Sequence, residues 1–352
     1  MWIWFGLLTL LLNLLAHRFP VFTEQWYSRG FFQAVRSGFD WTVGQLPVPA
    51  FYLFWAGILA CWIVAYRRRP PLKGLRSKLR YWLVRVLGFA GLLVGLFYWL
   101  WGFNYARVPL ETQLELPALL PDSASLWADL AEETRMLDSL RTRLAGTDTV
   151  ALDDRRFWPA DAEGTVRAAV EKWLATEGFP TGGRVRGRRL YPQGTLFLFG
   201  ASGLYWPFSG EGNVEAGLHP LRALPTMAHE MSHGYGFCDE GVCNFIAYVS
   251  CAEHADPYIA YCARLSYWST LARTCRSVGR ERFRAYLRQV PAGILADERA
   301  IRRQHDKFGE LAPALRYLVY DTYLKSNGIE AGIRNYDKVL VLVRAWRAAR
   351  RH

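Results

Sequence analysis

Apolar and polar positions divide this 352-residue chain into two kinds of sequence. Up to about residue 106 the pattern is dominated by three uncharged apolar runs, 2–16, 41–66 and 86–106. The second and third meet the roughly 20 residues that a helix needs to cross a bilayer, and the first is short for a full crossing. Trp41, Tyr66, Trp99, Trp101 and Tyr105 crowd the ends of these runs, where interfacial aromatic side chains belong. Residues 107–120 read as a linker. Beyond it the period becomes helical. Leu126, Leu130, Leu137, Leu140 and Leu144 predict a helix over 123–145 with Ser123 as its N-cap. A second helix is predicted near 162–176, with Trp173 and Leu174 in the core. Residues 180–220 are rich in glycine, aromatic residues and turn signals, and the stretches 195–199 and 203–208 predict short strands. From 222 onward the pattern is again mostly helical, with no internal repeat.

The expected fold class is therefore α+β and mostly helical. A membrane region of two to three transmembrane helices (1–106) precedes an extracytoplasmic domain (107–352) with a small sheet.

Charge sharpens the membrane reading. The formal net charge is +12. Residues 1–103 carry 11 Lys+Arg and 2 Asp+Glu, and the remaining 32 and 29 nearly balance. Most of the excess lies in one run, Arg67, Arg68, Arg69, Lys73, Arg76, Lys78, Arg80 and Arg85. A basic segment between apolar spans is a topology signal, which excludes a nucleic-acid partner and makes the lipid bilayer the expected one. With 67–80 on the cytoplasmic side, the N-terminus lies inside, and residues 17–40 and everything after Tyr105 lie outside. In a bacterium this is a multi-pass inner-membrane protein facing the periplasm or cell exterior. The first run lacks a basic n-region and a small-x-small cleavage site, so it reads as an uncleaved anchor rather than a signal peptide. Five of the six cysteines (Cys238, Cys243, Cys251, Cys262, Cys275) fall in the second part. A Cys238–Cys243 bridge and small buried thiols are both compatible with that setting.

Candidate chemistry centres on His229-Glu230-Met231-Ser232-His233, an HExxH motif. On a helix, residues four apart share a face, so both imidazoles reach one metal ion. Glu230 then lies beside that metal, placed to take a proton from water. The flanks are apolar (Leu221, Leu224, Met227, Ala228), and Gly234 and Gly236 follow. A helix, small sheet, motif helix and further helices follow the order of zincin-type metallopeptidases. A catalytic zinc needs a third protein ligand. Spacing offers Asp239, in HExxHxxGxxD, then Glu240, Glu253 and His254.

Several blocks also resemble a bacterial family of unknown function. Its members are membrane-anchored, with two or three N-terminal spans and an HExxH domain. Trp101-Gly102-Phe103-Asn104-Tyr105-Ala106-Arg107-Val108-Pro109-Leu110 is similar to its WGxNYxRxPL at the membrane exit. Residues 203–214, 229–248, 323–327 and 332–336 are similar to its later blocks. The family carries two acidic residues just before an Asn-Phe pair. Here the first is Glu240, and Val242 stands at the second. The resemblance thus implies Glu240 as third ligand, with Asp239 the alternative.

Together these readings give an expected function. It is a zinc-dependent metallopeptidase with Zn²⁺ on His229, His233 and Glu240, and Glu230 as catalytic base. Its substrate is a peptide or protein. Tyr205, Glu211 and Asn213 are candidates to line the substrate cleft, and Tyr205, Tyr248, His254 or His305 to stabilise an oxyanion. A turn-capping role is equally open for Glu211 and Asn213. The alternative function is a non-enzymatic membrane sensor or scaffold with a structural or degenerate metal site. Intramembrane proteolysis is disfavoured, because His219, Arg222, Asp239 and Glu240 flank the motif.

Overall fold

The computed structural model describes residues 1–146, 149–152 and 157–350. These divide into two compact units. The first holds Met1–Val108 with Gly182–Val185 and Trp206–Glu211. The second holds Pro109–Thr181, Arg186–Tyr205 and Gly212–His352.

The first unit begins with α1 (Trp2–Arg18). The chain then turns by 105° into α2 (Pro20–Trp41), whose middle, Thr23–Phe31, winds as a π-helix. Next come α3 (Ala50–Arg67) and α4 (Leu75–Leu100). The last two are long and apolar enough to cross a membrane, and α1 with α2 makes a third span if the bent pair counts as one. α3 starts nine residues later than the apolar run. Pro47 and Pro49 explain this, since each lacks an N–H and disfavours helix in the residue before it. Its first turn is capped from a distance: the Ala50 N–H donates to Glu211 Oε2 at 2.7 Å. α4 starts earlier than expected. Pro70, Pro71 and Gly74 confine the break to the short segment before Leu75, so Arg76, Lys78, Arg80 and Arg85 project from the helix into the surroundings. α1 and α4 approach closely through Gly6 and Gly91; a Cβ on Gly6 would lie 2.6 Å from the Gly91 Cα.

After a helical turn at Leu110–Gln113, within the stretch read as a linker, the second unit continues with α5 (Ser123–Ala145) and α6 (Ala162–Thr176). The cap of α5 is Asp122 rather than Ser123; its carboxylate accepts the Ser125 N–H at 2.8 Å. Three strands follow, β1 (Arg186–Leu190), β2 (Gly203–Trp206) and β3 (Glu211–Glu215), in sheet order β1-β3-β2. β2 is thus an edge strand. Residues 195–199 are not a strand. Gly194 and Gly200, at φ +93° and +63°, bracket a 3-10 turn at Phe197–Phe199, closed by local bonds such as Gly200 N–H to Phe197 O at 2.8 Å.

Helices complete the unit: α7 (Pro220–Gly234), α8 (Glu240–Cys251), α9 (Pro257–Val278), α10 (Arg280–Leu287), α11 (Ala292–His305), α12 (Pro313–Ser326) and α13 (Lys338–Ala349). α7, which carries the motif, packs on α6, α8, α9 and β1. All six cysteines are free thiols, and Cys238 and Cys243 are buried. Arg347 of α13 turns inward onto Glu133, and Arg350, just past the end of that helix, pairs with Glu177 at 2.7 Å.

Candidate metal centre

α7 starts with Pro220 at its first position and His219 as N-cap, the His219 ring accepting the Leu221 N–H at 3.3 Å. It ends one residue before Tyr235, and Gly236 at φ +87° turns the chain back. Asp239 then caps α8, accepting the Val242 N–H at 3.0 Å. This brings Glu240, the first residue of α8, over the motif face of α7.

His229, His233 and Glu240 each direct one ligand atom to a common point, all within 4.8 Å of one another. His229 Nε2 lies 3.1 Å from His233 Nε2 and 3.0 Å from Glu240 Oε2, and His233 Nε2 lies 3.5 Å from that oxygen. The outer ring nitrogens are held as well. His229 Nδ1 is 2.9 Å from Asn244 Oδ1, and His233 Nδ1 is 2.8 Å from the Phe237 carbonyl. Those oxygens accept, so each Nδ1 keeps a proton and each Nε2 is the ring atom that faces the cluster. Three ligand atoms converge at one point. Burial opposes ionisation of Glu240, but the His233 and His229 imidazoles outweigh it and hold the carboxyl well below the usual carboxylate range. Cys243 lies close, its sulfur 3.3 Å from the Phe237 carbonyl. Burial pushes its thiol up to about 11, so with no ion bound it is a neutral donor at neutral pH.

Glu230 is buried beside this cluster, wedged against two strands. A Cβ on Gly203 would lie 2.2 Å from Glu230 Oε1, and one on Gly212 2.6 Å from the Glu230 Cβ. Both positions have to be glycine for the carboxylate to sit where it does. Burial pushes the Glu230 carboxyl up to about 7 against the pull of His229 and His233. Its Oε2 has no hydrogen-bond partner among the described residues. A cleft of about 380 Å³ opens onto His229 and Glu230, with Gly203, Asn244, Tyr320 and Tyr336 in its walls.

Other residues singled out in the sequence have other duties. Asp239, besides capping α8, pairs with Lys338 at 3.0 Å and stays out of the cluster. Glu253 falls beyond the end of α8 and is exposed. The His254 ring accepts the Asp256 N–H at 3.0 Å. None of Tyr205, Glu211 and Asn213 lines the cleft. Tyr205 is buried with its ring centroid 6.3 Å from that of His233. Glu211 caps α3, and the Asn213 amide donates to the Leu204 carbonyl at 3.3 Å. Tyr248 reaches the cleft wall, but its hydroxyl donates to Glu133 at 2.7 Å. The side chain of His305 is largely exposed, its ring edge against Phe197.

Sequence reasoning missed Tyr320 and Tyr336. The Tyr320 hydroxyl donates to Glu240 Oε1 at 2.6 Å and lies 3.2 Å from the Tyr336 hydroxyl. The Tyr336 ring lies parallel to the His229 imidazole, 5° between planes and 6.3 Å between centroids. Tyr336 and Asn244 lie within blocks whose resemblance was already visible, whereas Tyr320 carries no local signal.

The chain belongs to the family described as protein of unknown function (DUF3810), whose profile matches residues 27–343. No match to a curated protein or to a solved structure was found.

Proposed function

We propose that this member of the family is a membrane-anchored, zinc-dependent metallopeptidase of the zincin type, with its second unit on the extracytoplasmic side of a bacterial inner membrane. One observation carries the reading. Two motif imidazoles and a buried carboxylate converge on one point, and the motif's own glutamate stands beside it at the head of a cleft.

The donor set fits the ion. Bonds of about 2.0–2.2 Å in tetrahedral geometry separate ligand atoms by about 3.4 Å. The spacings here are 3.0, 3.1 and 3.5 Å. Two nitrogens and one oxygen leave a fourth position for water, as catalytic rather than structural sites do. When bound, zinc supplies the Lewis acidity that makes water nucleophilic near neutral pH.

The chain's own groups do the rest. Glu230, held by its glycine-lined slot, accepts a proton from water at the cleft and returns it to the leaving amine. Asn244 and the Phe237 carbonyl keep the imidazoles in one tautomer. β2 is an edge strand, and Gly203 and Leu204 line the cleft. Its outer edge favours a peptide substrate held extended by main-chain hydrogen bonds. The basic run from the end of α3 into the first part of α4 favours the assigned orientation.

The full-length protein in detergent is expected to cleave members of a mixed peptide library. A chelator is expected to abolish cleavage, and one equivalent of zinc to restore it. Cleavage that survives exhaustive chelation contradicts the proposal.

A further inference from the structure

We propose that Tyr320 is the positioning residue for the third metal ligand and that, through it, metal binding and the docking of α12 strengthen each other; this rests on the metal site proposed above. Glu240 has two carboxylate oxygens with different duties. Oε2 faces the imidazoles, at 3.0 Å from His229 and 3.5 Å from His233. Oε1 accepts the Tyr320 hydroxyl at 2.6 Å, within the range of a charge-assisted O–H to carboxylate bond. With one oxygen tied, the carboxylate can turn only the other toward the metal. The Tyr320 hydroxyl is itself backed by the Tyr336 hydroxyl at 3.2 Å. Two tyrosines from the C-terminal part of the chain thus hold Glu240, a residue of α8.

The element that carries Tyr320 gives this contact its consequence. α12 runs for 14 residues, yet only Leu324 on it is buried. Leu315, Leu318 and Val319 are 61%, 63% and 59% exposed, so apolar burial does little to hold the helix down. Polar contacts hold it instead. Besides Tyr320 on Glu240, Asp321 accepts the Ile333 N–H at 3.0 Å. The chain enters and leaves α12 through left-handed turns, at Ala312 (φ +46°) and Gly328 (φ +87°). The first is disfavoured for a residue with a Cβ. Arg316 and Tyr320 of this helix line the cleft. A weakly buried helix over the cleft, fastened to a metal ligand, must respond to whether that ligand is fixed. A cation that orients Glu240 stabilises the acceptor of Tyr320, and by reciprocity a docked Tyr320 raises cation affinity.

Tyr320→Phe removes only the hydroxyl. In full-length protein, zinc competition against a chromophoric chelator is expected to show a Kd raised about 10- to 100-fold. The visible absorption of the cobalt-substituted protein is expected to shift, because Glu240 is no longer restricted to one oxygen. Amide exchange in 313–326 is expected to quicken when zinc is stripped from the wild type and to respond far less in Y320F. Equal zinc affinity in the two proteins overturns the role of Tyr320 and leaves the metal site standing. Absence of zinc binding in the wild type overturns both. If Y320F does not fold, the wild type decides alone: exchange in 313–326 that ignores zinc overturns the inference.

Discussion

Glu230→Gln is expected to lower peptide hydrolysis by about 10²- to 10⁴-fold, the range in which a positioned general base contributes, while zinc binding stays as in the wild type. Glutamine has nearly the volume of glutamate, so the slot between Gly203 and Gly212 still accepts it. The ligand cluster is formed by His229, His233 and Glu240 and is untouched by the change. What is lost is the ability to take a proton, since an amide does not accept one in this range. Gly203→Ala is expected to reproduce the phenotype by another route. The new methyl meets the far end of a flexible side chain, Glu230 Oε1, so the fold yields by displacing the carboxylate rather than by unfolding. Peptide turnover and zinc content measured on the same preparations decide the matter. Wild-type turnover in E230Q removes Glu230 from the mechanism.

The largest effect on stability is expected at Glu133, far along the chain from the motif. It is fully buried in α5. Arg264 Nη1 from α9 lies 3.1 and 3.2 Å from its two oxygens, Arg347 from α13 pairs with it, and the Tyr248 hydroxyl from α8 donates to it at 2.7 Å. One carboxylate therefore ties four helices, and two of its partners are cations with little access to water. Glu133→Ala leaves those guanidiniums without their counter-charge. Removing one partner of a buried ion pair costs about 3–5 kcal/mol, because the remaining charge is stranded in low dielectric. Chemical denaturation of the full-length protein is expected to show a loss of that size. A loss below about 1 kcal/mol would mean that Asp129, 3.6 Å from Arg344 and 4.0 Å from Arg347, compensates, and that the network is not a keystone.

How much of this could be read from the sequence follows the range of the interactions. The 123–145 and 162–176 helices were legible, because a 3.6-residue apolar period is a local property. The convergence of His229 and His233 was legible for the same reason. Glu240 needed more than spacing, since Asp239 and Glu240 differ by one residue. The capping bond from Val242 to Asp239 decides which of the two faces α7. β1 was illegible because its sequence, Arg-Gly-Arg-Arg-Leu, hides a strand under charge. Arg186 finds Glu163 and Arg189 finds the Ala216 carbonyl, partners that no local pattern announces. The 195–199 stretch misled in the opposite sense. Its residues suit a strand, but the flanking left-handed glycines close it into a turn. Glu211 invited a reading as a cleft residue, and its partner, the Ala50 N–H, lies 161 positions away. Tyr320 is the sharpest case. It is 80 residues from Glu240 on a mostly exposed helix, and only the folded chain brings the two together.

We propose above that His229, His233 and Glu240 hold one zinc ion. Elemental analysis of the full-length protein, purified without added metal and compared with His233→Ala, tests it most directly. One zinc per chain in the wild type and close to none in H233A is the predicted result. A wild type free of zinc after zinc loading, or zinc retained in full by H233A, would contradict it.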